Sequence, residues 1–413
     1  MESTPDMKKH CAVLIDNKSQ KKGLIHAILR NEQSFFKFLG TKKGTLFSPV
    51  MLSQLIDEEE RHNHKIIHQK QPLRTMSSGE QKKALLRHIL ESKPDYIILD
   101  NPFDSLDHSF QKELKNLLLE VSGDFIFIQL VSRVTDILPF INQFTKLNGD
   151  RLESIGEMPT VIKPQSDFLN GKIPAAIVPI RMDNELLIAF KNVSVSYEDK
   201  AILNNINWTV KKGEFWQLIG NNGSGKSTLL SMITGDNPKA YGQNILLFGK
   251  RKGTGESVWD IKQKLGYFSP VMTYKFSGRF TIEQMLISGF NDSIGLYTKP
   301  TEVQKRKAKE WLQLLNLWPE KDMLFADSSL GQKRLIMTVR AMVKHPPLLI
   351  LDEPTTGMDD EAAALLVALV NKIAKETDTA IIYVSHRNET GLQPQYTYQL
   401  HMSPKGSIGV IKK

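Results

Sequence analysis

The stretch "GNNGSGKST", from Gly220 to Thr228, sets three glycines, a lysine and three hydroxyls at fixed intervals. Glycines at 220, 223 and 225 let the backbone curl without Cβ clashes, so successive N–H groups can face one point. A nest of that kind opening onto a helix N-terminus binds anions. Lys226 adds a point charge for terminal phosphates, and Ser227 adds a hydroxyl ligand for a divalent cation. The chemistry is the holding of a polyphosphate with its metal. All of Gly220, Asn221, Asn222, Gly223, Ser224, Gly225, Lys226, Ser227 and Thr228 belong to a run that fits G-x-x-x-x-G-K-[ST].

A second set lies downstream. "LLILDEPTTGMD" (348 to 359) delivers Asp352, suited to holding Mg²⁺ through water, and Glu353, a candidate general base for an attacking water. His386 ends "AIIYVSH" and is placed to reach a γ-phosphate. The expected ligands are therefore ATP and Mg²⁺, and the expected reaction is hydrolysis of ATP to ADP and phosphate. Tyr197, upstream in an alternating apolar strand, is either an adenine-stacking ring or a core tyrosine.

These side chains need rigid elements behind them. "EFWQLI" before the phosphate loop reads as a strand and "TLLSMI" after it as a helix. Elsewhere short Ile/Val/Leu-rich strands alternate with helical stretches, the pattern of an α/β sheet with crossovers. Ala308, Trp311, Leu312 and Leu315 form one helical stripe and read as core. "AAALLVALV" (362 to 370) reads as a half-buried helix; it is too short to span a bilayer. His62, His64 and His68 fit no strong ligand spacing and read as a solvated helix face.

The chain repeats itself. "LFSPVM" (46 to 51) recurs as "YFSPVM" (267 to 272), "YIILDNPFDSLD" (96 to 107) as "LLILDEPTTGMD", and "LVSR" (130 to 133) as "YVSH" (383 to 386). The same offset relates Ser77 to Ser329 and Asp100 to Asp352. The halves are unequal: before its loop the first has room for one strand where the second has room for two. Four prolines mark a connecting stretch. The expected division is 1–155, a degenerate nucleotide-binding domain; 156–184, a linker; and 185–413, an intact one.

Bulk properties set bounds. A chain of 413 residues suits two domains. No apolar run is long enough for a membrane helix, the N-terminus lacks a signal-peptide core, and one cysteine suits a reducing compartment. The expected location is cytoplasmic or peripheral to the inner face of the plasma membrane. The formal charge of +9 suits a basic protein that handles polyphosphate, or one with an acidic partner.

Taken together the motifs resemble an ATP-binding cassette (ABC) ATPase. "SSGEQKK" (77 to 83) and "SLGQKRL" (329 to 335) are similar to that family's signature loop. The resemblance implies two tandem P-loop domains, each a mixed sheet core with a helical subdomain, the N-terminal one truncated. It also implies internal head-to-tail pairing of the halves. One site would then combine Lys226, Ser227, Asp352, Glu353 and His386 with Ser77, Ser78, Gly79 and Glu80. The tandem layout resembles the ModF-type proteins, described as molybdate-transport ATP-binding or photorepair proteins. That implies an ATPase working with a separate membrane permease for an oxyanion such as molybdate. The alternative is a soluble ABC switch acting on nucleic acid, the ribosome or DNA repair; a third reading is a nucleotide-binding scaffold without turnover.

In the first half the phosphate loop slides onto "DNKSQKKGL" (16 to 24). Lys22 then takes the lysine place, Asn101 replaces the base, and Arg133 stands where the histidine would be. An amide takes no proton as a carboxylate does, so one working site and one degenerate site are expected. In place of the glutamine the family sets after "GY-x-x", the two halves have Pro49 and Pro270.

Overall fold

The computed structural model describes residues 9–412 except 18, 63–70, 165–168, 170, 183, 256, 277, 294 and 388. The histidines at 64 and 68 and the side chain of His62 fall outside the described residues. The chain divides into two compact units, residues 1–162 with 357–360, and residues 163–356 with 361–413.

The first unit contains strands β1 (Cys11–Ile15), β2 (Gly44–Phe47), β3 (Tyr96–Asp100), β4 (Ile126–Val131), β5 (Gln143–Asn148) and β6 (Arg151–Ile155). They form one sheet in the order β2-β3-β4-β1-β5-β6, parallel except for the β5–β6 hairpin. Helices α1 (Lys21–Leu29), α2 (Pro49–His62), α3 (Ser78–Glu91) and α4 (His108–Glu120) connect them. The central strands are mostly apolar because both faces are covered: every residue of β3 and β4 is buried, Asp100 and Gln129 included.

The second unit adds β7 (Leu186–Tyr197), β8 (Lys200–Lys211), β10 (Ile245–Leu247) and β11 (Lys250–Arg251), an antiparallel sheet ordered β11-β10-β7-β8. Its other sheet consists of β9 (Phe215–Gly220), β12 (Leu265–Phe268), β13 (Leu348–Asp352), β14 (Ala380–Val384), β15 (Tyr396–His401) and β16 (Ile408–Lys412). The order β12-β13-β14-β9-β15-β16 repeats that of the first unit strand for strand. Helices here are α5 (Lys226–Ile233), α6 (Val258–Gln263), α7 (Pro270–Lys275), α8 (Ile282–Ile287), α9 (Glu302–Leu314), α10 (Leu330–Met342) and α11 (Asp360–Glu376). Among the described residues, only the second unit carries the antiparallel sheet.

The stripe Ala308, Trp311, Leu312 and Leu315 is buried as expected. The apolar run in α11 is more deeply covered than a half-buried helix: Ala363, Leu366, Val367, Leu369 and Val370 are at most 1% exposed. Among the described residues no helix is long and apolar enough to cross a membrane. The proline-bearing stretch between the units has no helix or strand among its described residues, yet it is anchored. Leu169 is buried, and the Ile173 N–H donates to Glu376 Oε2 at 2.8 Å.

Candidate functional site

In the second unit β9 lies between β14 and β15 and ends at Gly220. A Cβ at Gly220 would sit 2.5 Å from Ser224 Oγ and 3.2 Å from Leu400, so glycine is required there by close approach. Gly225 caps α5 at φ 91°, and its Cβ would meet Leu203 at 2.6 Å. The loop folds on its own lysine: Lys226 Nζ donates to Gly220 O at 2.6 Å and Asn221 O at 3.1 Å. Ser224 Oγ is buried without a partner among the described residues. Asn221, Asn222 and Ser227 are exposed, and Thr228 is half-buried.

Parallel strand β13 brings Asp352 and Glu353 to the same sheet edge. Burial, with the Glu353 charge behind it, pushes the Asp352 carboxyl up to about 6. Glu353 sits at φ 49°, its N–H bonded to Val384 O at 2.9 Å. Its Oε1 lies 3.0 Å from His386 Nδ1. Burial works against its charge, but the His386 contact and Lys226 outweigh that and hold the carboxyl below its ordinary value. His386 Nε2 is buried with no partner among the described residues. Two groups escaped the sequence reading. Tyr267 on β12 donates its hydroxyl to Asp352 Oδ2 at 3.4 Å. Thr355, in the loop after Glu353, bonds Glu389, in the loop after His386, and both are buried.

Tyr197 ends β7 and is 40% exposed, so it is no core tyrosine. Its hydroxyl accepts from Asn237 at 2.9 Å, and the ring lines a cavity of about 520 Å³ with Ile202, Gly223 and Ser403. The cavity abuts the phosphate loop through Gly223. Pro270 is the first residue of α7, so the glutamine place is taken by a helix start.

The first unit repeats the frame with other groups. Strand register settles the correspondence: Asp352 and Leu218 both pair with Val384, while Asp100 and Val13 both pair with Leu130. Leu218 therefore matches Val13, and Lys226 matches Lys21 rather than Lys22. Helix starts agree, since α1 begins at Lys21 and α5 at Lys226. Likewise Ser132, not Arg133, stands at the place of His386. The ungapped slide of the sequences was one residue out on both counts. Lys22 is exposed, whereas Lys21 Nζ reaches Asp100 Oδ1 at 3.0 Å. Ser19 Oγ meets Asp16 Oδ1 and Leu147 O, each at 2.8 Å.

Ser77, Ser78 and Glu80 are exposed at the start of α3. Ser77 caps the helix: its Oγ accepts from Glu80 N, and its N–H donates to Glu80 Oε2 at 2.8 Å. Ser329 caps α10 in the same way with Gln332. Gly79 is buried, and a Cβ there would lie 2.3 Å from Phe110. The glycine is thus required for α3 to pack on α4.

A family profile described as "ABC transporter" matches residues 203–356. The chain is 37% identical over 347 residues to the "ABC transporter ATP-binding protein ModF" of Escherichia coli (strain K12), covering 81% of this chain and 71% of that protein. It is 32% identical over 318 residues to an uncharacterized ABC transporter ATP-binding protein, C323.04, of Schizosaccharomyces pombe, covering 75% of this chain and 65% of that one. Among solved structures, one described as "RNase-L Inhibitor" covers 97% of this chain and 85% of its own at a TM-score of 0.63 and 12% identity, a likeness of fold alone.

Proposed function

The chain belongs to the ATP-binding cassette ATPases, and on that premise we propose that it hydrolyses ATP at one productive composite site. Lys226 and the loop from Gly220 to Thr228 grip the phosphates, with Tyr197 against the base. Glu353, aligned by His386, takes the proton of the attacking water. Ser77, Ser78, Gly79 and Glu80 of the first unit supply the facing loop. ATP is the substrate. Mg²⁺ would be held by the Ser227 hydroxyl and the Asp352 carboxylate. An oxygen donor set suits that hard cation, and a buried carboxylate pushed up to about 6 is one a cation would relieve. When bound, the metal neutralises phosphate charge. Bound ATP would give the orphaned Ser224 Oγ and His386 Nε2 a partner.

The observation that carries the single-site reading is the Lys21–Asp100 ion pair. In the first unit a lysine ammonium occupies the carboxylate that in the second is left to a metal. Asn101 at the base position completes the loss. Ser77→Arg in the full chain tests the composite site. Phosphate release should fall to background while ATP binding persists; full turnover would refute the pairing.

For the client, we propose a separate permease for an oxyanion such as molybdate, with the chain in the cytoplasm at the membrane's inner face. The 37% identity to ModF supports this, although the chain spans 71% of that relative's length. Co-purification of an integral membrane protein tests it. The second reading, a soluble switch on nucleic acid, is favoured by a concentration of cations between Lys250 and Lys264.

A further inference from the structure

Residues 249–264, "GKRKGTGESVWDIKQK", carry five cations against two acids, so a net three charges of the chain's +9 sit in sixteen residues. The hairpin β10–β11 and helix α6 bring them together. Lys250 and Arg251 are exposed on the edge strand, and Lys262 and Lys264 close α6. Lys264 Nζ stands 5.9 Å from the ring centre of Phe248, in the turn of that hairpin. The Asp260 carboxyl is held below the ordinary value first by the Ser257 N–H and hydroxyl, and further by the charges of Lys250 and Lys264. Asp236 already engages Lys262 at 3.4 Å.

Two aromatic rings stand in this basic field. Trp259, on α6, is 71% exposed, while its helix is fastened inward by buried Ile261. Tyr241 is 55% exposed, with the Lys252 ammonium 4.8 Å from its ring centre. The surface around the exposed indole is cationic rather than apolar. We propose that this surface binds single-stranded nucleic acid. Phosphates would lie along Lys250, Arg251 and Lys264, and an unpaired base would stack on Trp259. Flat rings set among cations are what a strand with phosphates and free base faces requires. A duplex keeps its bases stacked internally, and six-residue α6 is too short to fill a major groove. A bilayer would need a broad apolar helix face, whereas here one exposed indole is followed directly by Asp260.

The inference deepens the switch reading and is independent of the hydrolytic assignment, because binding is measured without nucleotide. Anisotropy of fluorescein-labelled oligouridylate and oligodeoxythymidylate is followed with the full chain at rising salt. Tight, salt-sensitive binding of either is expected. Trp259→Ala should weaken it about 5- to 100-fold, the range for one lost base stack. Lys250→Glu with Arg251→Glu should weaken it further and flatten the salt dependence by about two phosphate contacts. ATP hydrolysis should be unchanged in both variants, which also shows that they fold. Wild-type oligonucleotide affinity in both variants overturns the proposal. So does binding to phosphatidylserine vesicles with none to oligonucleotide. A loss of hydrolysis in the Ser77→Arg chain with oligonucleotide binding intact separates this surface from the ATP site.

Discussion

Asn101 holds the backbone place in the first unit that Glu353 holds in the second. Both lie at positive φ, 44° and 49°, and each donates its N–H to the facing strand, Leu130 O at 3.0 Å and Val384 O at 2.9 Å. Their side chains also turn to matching partners. Asn101 Oδ1 accepts from the Ser132 N–H at 3.0 Å, and Glu353 Oε1 meets His386 Nδ1 at 3.0 Å. The frame that aims the Glu353 carboxylate is thus intact in both units, and the side chain it carries differs. A glutamate is strained at this left-handed angle whereas an asparagine tolerates it, so the turn is the costlier of the two at Glu353.

Glu353→Gln should retain ATP binding and slow hydrolysis by about a hundredfold or more, the scale of a lost general base. The converse, Asn101→Glu, should add no turnover, because Lys21 still sits on Asp100. Phosphate release from the double variant Asn101→Glu, Glu353→Gln decides it: activity above that of Glu353→Gln alone would show that the first unit needs only its base restored.

Lys21 and Lys22 should differ in what their loss costs. Asp100 is 6% exposed, so Lys21→Ala leaves a buried carboxylate without its cation. Because Lys21 is itself 36% exposed, solvent screens the pair and the cost falls to about 1–2 kcal/mol from the larger fully buried figure. Lys22→Ala should stay within about 0.5 kcal/mol. Denaturant melts of the two variants compare them directly, and equal shifts would contradict the register assignment.

That correspondence also shows what was legible. The phosphate loop, Asp352, Glu353 and the repeat could be read because each is local or recurs at a fixed offset. The strand order repeated as the duplicated motifs implied. The lysine and histidine counterparts in the first half were missed by one residue, since only pairing of Val13 and Leu218 with strands far along the chain fixes them. Tyr267 was missed for the same reason: its approach to Asp352 depends on β12 lying beside β13. Its counterpart Leu46 pairs with Ile98 as Tyr267 pairs with Ile350, and has no hydroxyl to give Asp100. Packing adds a reason that no motif carries: Gly79 reads as a signature-loop glycine, and the ring of Phe110 also leaves no room for a Cβ there.

Asp352 should make the metal-free chain pH-sensitive. Its folded carboxyl titrates at about 6 against the usual 3.8, so the folded state binds the extra proton. Stability from this group is full below the unfolded value and falls as pH rises from 3.8 to about 6. Above that window the penalty is full, about 3 kcal/mol. Asp352→Asn should therefore raise the melting temperature at pH 8 and do little at pH 4, with magnesium and nucleotide absent. A shift equal at both pH values would contradict it.

Thr355 and Glu389 should govern turnover from outside the reacting groups. Glu353 and His386 lie on different loops, and their 3.0 Å contact survives only if those loops keep their spacing. The bond between Thr355 and Glu389 ties one loop to the other two to three residues beyond the pair, and the Tyr383 hydroxyl backs Thr355 at 3.4 Å. All three side chains are buried, so the tie has no solvent competitor. Thr355→Val and Glu389→Gln should each lower kcat by about ten- to a hundredfold, the cost of a slightly misplaced catalytic group. KM for ATP should move much less, because Lys226 and the phosphate loop are untouched. Thr355→Ser, which keeps the hydroxyl, should restore most of the rate. If KM rose in step with the fall in kcat, or if the serine variant were as slow as the valine one, the tie would be supporting the fold and not the alignment of Glu353 with His386.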